Sequence, residues 1–199
     1  MRKRLLFVGS SGESARKLIP HLAKTYDIVG IARSRRELEP YLVEQVTGDL
    51  LTSHEQVFDA AFRDGPYDAI IWNAVAYFIE PLTESTRESL HTEFDLAVAL
   101  PMVCLKRYAQ SKGSSTKRFI MMSSQMAFGH KAGLGSYSVM KRAQVTLIGA
   151  LALEVPDIIC SAITPGSLRR TSEEALIASI EEVLHAHESG QIHRVDESR

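Results

Sequence analysis

Residues 5–15 read LLFVGSSGESA, an apolar run of four residues followed by a turn that contains Gly9 and Gly12. The run suits a buried strand, and Leu18 and Leu22 after the turn have helical spacing. A strand that enters a helix through a glycine-containing turn directs backbone N–H groups and the positive helix end at an anion such as a pyrophosphate. The stretch therefore predicts a strand–turn–helix unit suited to a nucleotide, while a tight turn without a ligand remains the alternative.

Short apolar or β-branched runs recur along the chain and alternate with longer segments of helical periodicity. Near-continuous apolar strands are buried on both sides, so this alternation predicts a parallel sheet covered by helices on both faces. We predict an α/β fold: a Rossmann-like doubly wound parallel sheet in three α/β/α layers. The predicted strands span residues 5–8, 27–32, 43–47, 69–72, 118–122 and 158–163.

Three longer segments predict the main helices. Residues 84–112 and 134–154 are each long enough for a major helix beside the sheet, and Pro101 is expected to bend the first of them. The last helix is predicted over 172–187, with Ser172 as its N-cap and acidic residues in its first turn, where negative charge suits the helix dipole. This arrangement leaves the residues after Gly190 as a tail.

Composition limits the class of protein. The chain has 199 residues, of which 45% are hydrophobic and 24% are charged, as in one compact domain. Because it contains no repeat, low-complexity block or linker, residues 1–199 are predicted to form a single NAD(P)-binding Rossmann-fold domain. The formal net charge is −1, so the overall charge favours neither a nucleic acid nor an anionic membrane as partner.

The cysteines and histidines point to no metal site. Cys104 and Cys160 lie in apolar surroundings without metal-ligand spacing, so we expect a reduced cytoplasmic protein. His185, His187 and His193 match no metal-binding motif and are expected in a solvated tail. The first apolar run is too short for a signal peptide or a membrane span.

The second predicted strand ends in the basic sequence GIARSRR. A site that prefers NAD usually places an acidic residue here, on the ribose 2′-hydroxyl. Arg33 and the adjacent Ser34, together with Ser10, Ser11 or Arg35, can instead hold a 2′-phosphate through charge-assisted hydrogen bonds. The sequence therefore favours NADP(H) over NAD(H), with a solvated basic loop as the alternative.

Tyr137 and Lys141 are four residues apart on a predicted helix and therefore share one face. Two charges about 5 Å apart at an effective dielectric of about 20 interact by roughly 3 kcal/mol, so Lys141 is predicted to lower the pKa of the Tyr137 phenol by about 2. Such a tyrosine can exchange a proton with a substrate oxygen. The alternative is an exposed aromatic ring beside a solvated lysine.

Taken in order, these motifs resemble the short-chain dehydrogenase/reductase family, from the first strand through Pro165 and Gly166 and more weakly to the end of the chain. The resemblance implies that Ser124, thirteen residues before the tyrosine, hydrogen-bonds a substrate carbonyl. It also implies that Tyr137 is the general acid/base and that Lys141 binds the nicotinamide ribose.

The resemblance extends the predicted cofactor site. It places Asp49 and the following Leu50 at the adenine, Asn73 and Ala74 after the fourth strand, and the Pro165–Gly166 turn at the nicotinamide. The full predicted cofactor site is Gly9, Ser10, Ser11, Gly12, Ser14, Arg33, Ser34, Asp49, Leu50, Asn73, Ala74, Tyr137, Lys141, Pro165 and Gly166.

The chain departs from the family pattern at four places. Val75 replaces a glycine, and the glycine loop ends in the variant pair Ser14-Ala15. Ala97 stands where the family's asparagine supports a proton-relay water. Only residues 167–171 lie where the family usually inserts a mobile substrate lid, so an open site with little specificity from that side is expected.

These features predict an NADP(H)-dependent oxidoreductase that transfers a hydride between the nicotinamide and a small carbonyl or alcohol substrate. Two alternatives remain open: an NADP(H)-binding sensor or partner protein without turnover, favoured by Ala97, and a lyase or epimerase that uses the nicotinamide transiently. The resemblance also implies a homodimer or homotetramer that pairs through the helices over 84–112 and 134–154. No nucleic acid, membrane or metal partner is expected.

Overall fold

The computed structural model describes residues 2–34, 38–112 and 116–197. The strands in this part of the chain are β1 (Lys3–Val8), β2 (Tyr26–Ala32), β3 (Glu44–Thr47), β4 (Ala69–Trp72), β5 (Lys117–Met122), β6 (Ile158–Pro165) and β7 (Gln191–Val195). They form one seven-stranded sheet in the order β3-β2-β1-β4-β5-β6-β7. Every neighbouring pair is parallel, and the chain winds outward from β1 in both directions.

Helices cover both faces of this sheet. They are α1 (Glu13–Leu22), α2 (Leu50–Arg63), α3 (Arg87–Phe94), α4 (Leu100–Gln110), α5 (Gly135–Glu154) and α6 (Glu173–His185). Apolar residues of α1 and α6 pack in one core cluster, and those of α2, α4 and α5 pack in the other. The predicted α/β fold with three layers is confirmed.

The central strand β1 shows why its sequence is apolar without alternation. Leu5 and Phe7 belong to the cluster that contains α1 and α6, whereas Leu6 and Val8 belong to the cluster that contains α2, α4 and α5. All four side chains are fully buried. Because successive side chains of a strand point to opposite faces, a strand covered on both sides needs an apolar residue at each position.

The long helix predicted over 84–112 is interrupted. Between α3 and α4 the chain forms a π-helical turn over Asp95–Ala99. Pro101, predicted to bend this helix, lies in the first turn of α4 directly after the π-helical turn, where its missing N–H costs little. The indole N–H of Trp72 donates to the Leu96 carbonyl at 2.8 Å and fixes this turn against the end of β4.

The end of the chain differs from the predicted tail. Ser172 caps α6 as predicted, accepting from the Ala175 amide at 3.1 Å, but Gln191–Val195 then forms the edge strand β7 beside β6. His193 lies on β7 and pairs in register with Ile163, so its predicted place in a solvated tail is wrong. β7 has one neighbour and is only partly buried, which explains its mixed polar sequence.

Three features of the described residues concern partners. None of the helices combines the length and apolar character that crossing a bilayer requires. No group of three or more His, Cys, Asp and Glu in residues 2–34, 38–112 and 116–197 is placed to hold a metal ion. Cys104 and Cys160 are free and buried, with no disulfide between them.

Candidate active site

Two neighbouring cavities open where the parallel strands end. A cavity of about 450 Å³, here named the glycine-turn cavity, is lined by residues that follow β1, β2, β3 and β4. A second, of about 770 Å³, is lined by residues that follow β5 and β6 and by the start of α5, and is named the tyrosine cavity. Gly12, Asn73 and Tyr77 line both cavities, which therefore adjoin.

The turn after β1 is held against the end of β4. Gly9 has φ +87°, and a Cβ there would lie 2.6 Å from the Ala74 amide nitrogen, so both conformation and space require glycine. The side-chain amide of Asn73 donates through Nδ2 to the Gly9 carbonyl at 2.9 Å, and the Ser14 hydroxyl donates to Asn73 Oδ1. Gly12, the N-cap of α1, provides no side-chain cap, so the N–H groups of the first turn remain suited to an anion.

The predicted adenosine residues line the glycine-turn cavity. Ser11 and Arg33 lie at the ends of the first two strands, and Asp49 and Leu50 lie where β3 leads into α2. The Asp49 carboxylate caps α2 by accepting from the Leu51 amide at 2.9 Å. Arg33 is exposed on the rim and supplies a positive charge to this cavity.

Two predicted cofactor residues lie elsewhere. Ser10 is 2% exposed and accepts from the Gln45 side chain at 3.3 Å, so its hydroxyl supports β2 and β3 and does not line a cavity. Ser34 is exposed but lines neither of the two cavities. Arg35 lies outside the described residues.

Ser124, Tyr137 and Lys141 come together in the tyrosine cavity. Ser124 follows β5, and its hydroxyl accepts from the Met126 amide at 3.2 Å and donates to the Pro165 carbonyl at 3.5 Å. Tyr137 and Lys141 lie one turn apart near the start of α5, which packs along β6. The structure thus places the three predicted catalytic side chains in one cavity, with the Pro165–Gly166 turn in its wall.

The ammonium of Lys141 is held inside the protein. Its Nζ donates to the Met122 carbonyl at 2.8 Å and to Gln144 Oε1 at 3.0 Å, and it lies 5.5 Å from the centroid of the Tyr137 ring. Lys141 and Gln144 are 3% and 1% exposed. Burial lowers the pKa of Lys141 to about 7. Sequence reasoning missed Gln144, whose signal is a polar residue three positions after the lysine on the buried face of a helix.

The predicted lowering of the Tyr137 pKa by Lys141 is wrong for the protein alone. The pKa of Tyr137 is raised, chiefly because the phenol is buried, while the Ser124 hydroxyl lowers it and the charges of Tyr77 and Glu93 raise it further. The estimate from sequence treated Lys141 as a full charge beside the phenol. In the structure Lys141 is itself desolvated and bonded to other acceptors. The phenol is therefore protonated near neutral pH.

Two side chains beside Tyr137 were not identified from the sequence. The ring of Tyr77 lies 5.4 Å from the Tyr137 ring, centroid to centroid. Glu93 on α3 is 1% exposed, and its Oε1 accepts from the Phe78 amide at 3.1 Å. A glutamate on the buried side of a helix carries no motif, so only the packing of α3 on α5 reveals it.

The segment over 167–171 is fixed at the mouth of the tyrosine cavity. Lys17 on α1 donates through Nζ to the Leu168 carbonyl at 2.6 Å and to the Thr171 carbonyl at 2.8 Å. The short connection between β6 and α6 is thereby tied to the helix that follows the glycine turn. Ala97, by contrast, is buried in the π-helical turn and lines neither cavity.

Comparison with solved structures supports the architecture. An acetoin dehydrogenase from Enterobacter cloacae matches with a TM-score of 0.86 and 19% identity over 98% of this chain and 94% of that chain. A 3-oxoacyl (acyl-carrier-protein) reductase from Agrobacterium tumefaciens with NADP bound matches at 0.85 and 15%, over 99% and 94%. A 4-hydroxyisoleucine dehydrogenase mutant complexed with NADH and succinate matches at 0.83 and 16%, over 98% and 98%.

Proteins described as short-chain dehydrogenases, from Serratia marcescens and Francisella tularensis, are also among the structural matches. The chain therefore has the fold of the short-chain dehydrogenase/reductases. Neither a protein-family model nor a curated protein sequence matches the chain significantly.

Proposed function

We propose that the protein is an NADP(H)-dependent oxidoreductase that transfers a hydride between the nicotinamide and a small carbonyl or alcohol substrate. The observation that carries the proposal is the meeting of Ser124, Tyr137 and Lys141 in one cavity that adjoins the glycine turn. A proton donor, a polar group for a carbonyl oxygen and a cation lie beside a nucleotide-type turn, which is the set that carbonyl reduction requires.

The residues present fit a dinucleotide. The glycine-turn cavity suits the adenosine half, the first turn of α1 suits the pyrophosphate, and the tyrosine cavity suits the nicotinamide half. Gly9 lets the turn after β1 pack directly on the backbone of Asn73 and Ala74, which brings the glycine turn and the end of β4 together at this cavity. When bound, the nicotinamide supplies or accepts the hydride.

The proposed preference for NADP(H) rests on Arg33. Its guanidinium lines the glycine-turn cavity at the end of β2, where an acidic residue would bind the 2′-hydroxyl of NAD. A planar guanidinium binds a phosphate through two parallel hydrogen bonds. One structural neighbour carries NADP and another carries NADH, so the fold does not decide between the cofactors.

Ser124, Tyr137 and Lys141 have different roles in proton transfer. The Ser124 hydroxyl donates to the carbonyl oxygen of the substrate, and Tyr137 donates its phenolic proton to that oxygen as the hydride reaches carbon. Because the raised pKa of Tyr137 keeps the phenol protonated at neutral pH, the side chain is in the form that donates a proton in carbonyl reduction. Lys141 uses two of its three N–H donors on Met122 and Gln144, which leaves one for the ribose.

We further propose that copies of the chain pair through the segments over 84–112 and 134–154, which contain α3, α4 and α5. Large apolar side chains are exposed at Phe94 (46%), Val139 (61%) and Leu153 (85%), all on the helices that the sequence predicts to pair. Burying such groups stabilises a homodimer or homotetramer. Light scattering after size exclusion should give a mass of two or four chains, and a monomer contradicts this proposal.

The experiment is NADPH oxidation against a panel of aldehydes, ketones and quinones, followed by the loss of NADPH absorbance. Turnover in the wild type, retained in the exposed-tyrosine control Tyr41→Phe and lost in Tyr137→Phe, supports the proposal. Tight NADPH binding without turnover on any compound favours the sensor, and conversion of a substrate without net NADPH consumption favours the lyase or epimerase. Failure to bind either cofactor overturns all of these functions.

A further inference from the structure

The carboxylate of Glu197 is bound at the mouth of the tyrosine cavity. Its Oε1 accepts from the Ser167 backbone amide at 2.7 Å and from Arg170 Nη2 at 3.1 Å, and its Oε2 lies 2.8 Å from Arg170 Nε. The guanidinium therefore contacts both carboxylate oxygens, and a backbone N–H adds a third donor. This combination is a strong and geometrically specific way for a protein to bind a carboxylate.

These groups belong to the same space as the proposed catalytic side chains. Ser167, Arg170 and Glu197 line the tyrosine cavity together with Ser124 and Tyr137. Glu197 also packs directly on the Pro165–Gly166 turn, because a Cβ added to Gly166 would lie 2.5 Å from Glu197 Cγ. A carboxylate at this place is thus beside the turn that we assign to the nicotinamide.

The donors are fixed, whereas the carboxylate that they bind is replaceable. Lys17 holds the segment of Ser167 and Arg170 through the Leu168 and Thr171 carbonyls. Glu197, in contrast, follows the last residue of β7 by two positions, and the side chains of the pair are 69% and 30% exposed for Arg170 and Glu197. An incoming carboxylate can make the same contacts with the Ser167 amide and the Arg170 guanidinium that Glu197 makes, so the exchange of one carboxylate for the other costs little.

The local charge also favours an anion. The hydrogen bond from the Ser167 amide, followed by the charge of Arg170, lowers the pKa of Glu197. Arg169 lines the same cavity from the same segment and adds a second guanidinium. The donors around Glu197 therefore stabilise the ionised form of a carboxylic acid at neutral pH.

We propose that the Ser167 amide and the Arg170 guanidinium bind the carboxylate of the substrate, and that Glu197 occupies this place until the substrate displaces it. The inference rests on the proposed function and names its substrate class: carbonyl compounds that carry a carboxylate, and the corresponding hydroxy acids. Glu197 then acts as an internal competitor that raises the KM for such acids.

The test compares oxo acids with their neutral esters. The probes are pyruvate, acetoacetate and levulinate, each beside its methyl ester, with saturating NADPH. The measured quantity is the ratio of kcat/KM for the acid to kcat/KM for the ester. Because one charge-assisted contact corresponds to about a tenfold change in affinity, Glu197→Ala should raise this ratio about tenfold and Arg170→Gln should lower it about tenfold. Glu188→Ala, which removes an exposed glutamate elsewhere, should leave the ratio unchanged.

The outcomes separate this inference from the proposed function. If ketones are reduced and the acid-to-ester ratio of kcat/KM is the same in all variants, the inference is overturned. The proposed oxidoreductase function is then retained. If Arg170→Gln weakens NADPH binding and leaves the ratio unchanged, Arg170 serves the cofactor and the inference is also overturned. If no compound is reduced, the proposed function fails, and calorimetric titration of levulinate into the three variants and the wild type decides the inference. Equal or absent binding in all four proteins then contradicts it.

Discussion

The two cavities at the carboxyl ends of the strands are built differently. The glycine-turn cavity is lined mainly by backbone, glycines and small or apolar side chains, with Arg33 and Asp49 as its charged residues. The tyrosine cavity contains a buried lysine, a half-buried tyrosine and several charged side chains at its mouth. One cavity therefore suits binding by shape and by backbone N–H groups, and the other suits the movement of protons.

The two cavities also differ in how far the sequence predicts them. The sequence predicted the glycine turn because Gly9 and Gly12 directly follow the apolar strand β1, although Asn73 from the end of β4 also fixes it. The protonation states in the tyrosine cavity depend on burial and on acceptors from several elements. Those states differed from the sequence-based estimate.

The largest expected effect concerns the proton donor of the tyrosine cavity. Tyr137→Phe removes only the hydroxyl, so the ring contact with Tyr77 is retained. General acid catalysis contributes about 10²–10⁴-fold, and kcat for carbonyl reduction should fall by that amount while the Kd for NADPH stays within about twofold of the wild-type value. Steady-state kinetics and fluorescence titration of NADPH measure the two quantities. Equal kcat in the variant contradicts the assigned role.

The second prediction concerns the buried lysine and stability. The pKa of Lys141 is lowered to about 7 in the folded protein, below its ordinary value. Between this pKa and that of an unfolded lysine, the unfolded chain therefore binds more protons than the folded protein does. The free energy of unfolding should therefore increase with pH, by up to about 1.4 kcal/mol per pH unit between about 7 and 10 from this group. Urea unfolding at several pH values measures the slope.

The matched variants for this slope are Lys141→Met, which removes the titrating group and keeps its length, and Lys24→Met on the exposed surface. Lys141→Met should flatten the slope, whereas Lys24→Met should keep it. A slope that persists in Lys141→Met shows that the lysine is not the group that titrates.

The smallest expected effect concerns the cofactor preference of the glycine-turn cavity. Arg33→Ala should raise the Kd for NADPH about tenfold, the equivalent of one charge-assisted contact, and leave the Kd for NADH nearly unchanged. Arg63→Ala, at the far end of α2, is the control. An equal rise in the Kd values for NADPH and NADH would assign Arg33 to a general role in folding or charge. That result would contradict the proposed preference for the 2′-phosphate.

The order of elements was predictable because a sheet covered on both faces makes its strands nearly continuous apolar runs, as in β1 and β4. The edge strand β7 was not, because an edge position leaves Gln191 and Arg194 exposed and hides the strand pattern. The sequence predicted a bend at Pro101 but not the π-helical turn at Asp95–Ala99, because the indole of Trp72, which donates to the Leu96 carbonyl, comes from another element.

The candidate site also contains residues that the sequence predicted and residues that it did not. Tyr137 and Lys141 were found by their helical spacing and Ser124 through the family resemblance, and the structure brings the three into one cavity. Gln144 and Glu197 were not predicted. Gln144 accepts from Lys141 without belonging to any motif, and Glu197 contacts Ser167, which only the fold brings near it. The Ser10 hydroxyl accepts from Gln45 on β3, a direction that the strand pattern does not specify.

The central claim is direct hydride transfer from a nicotinamide to a carbonyl carbon in the tyrosine cavity. The most direct measurement uses NADPH carrying deuterium at both C4 positions of the nicotinamide, with mass spectrometry of the alcohol product. We predict one deuterium on the former carbonyl carbon of each product molecule in the wild type. Product alcohol without deuterium, or bound NADPH that is never oxidised in the presence of any carbonyl, would contradict the account.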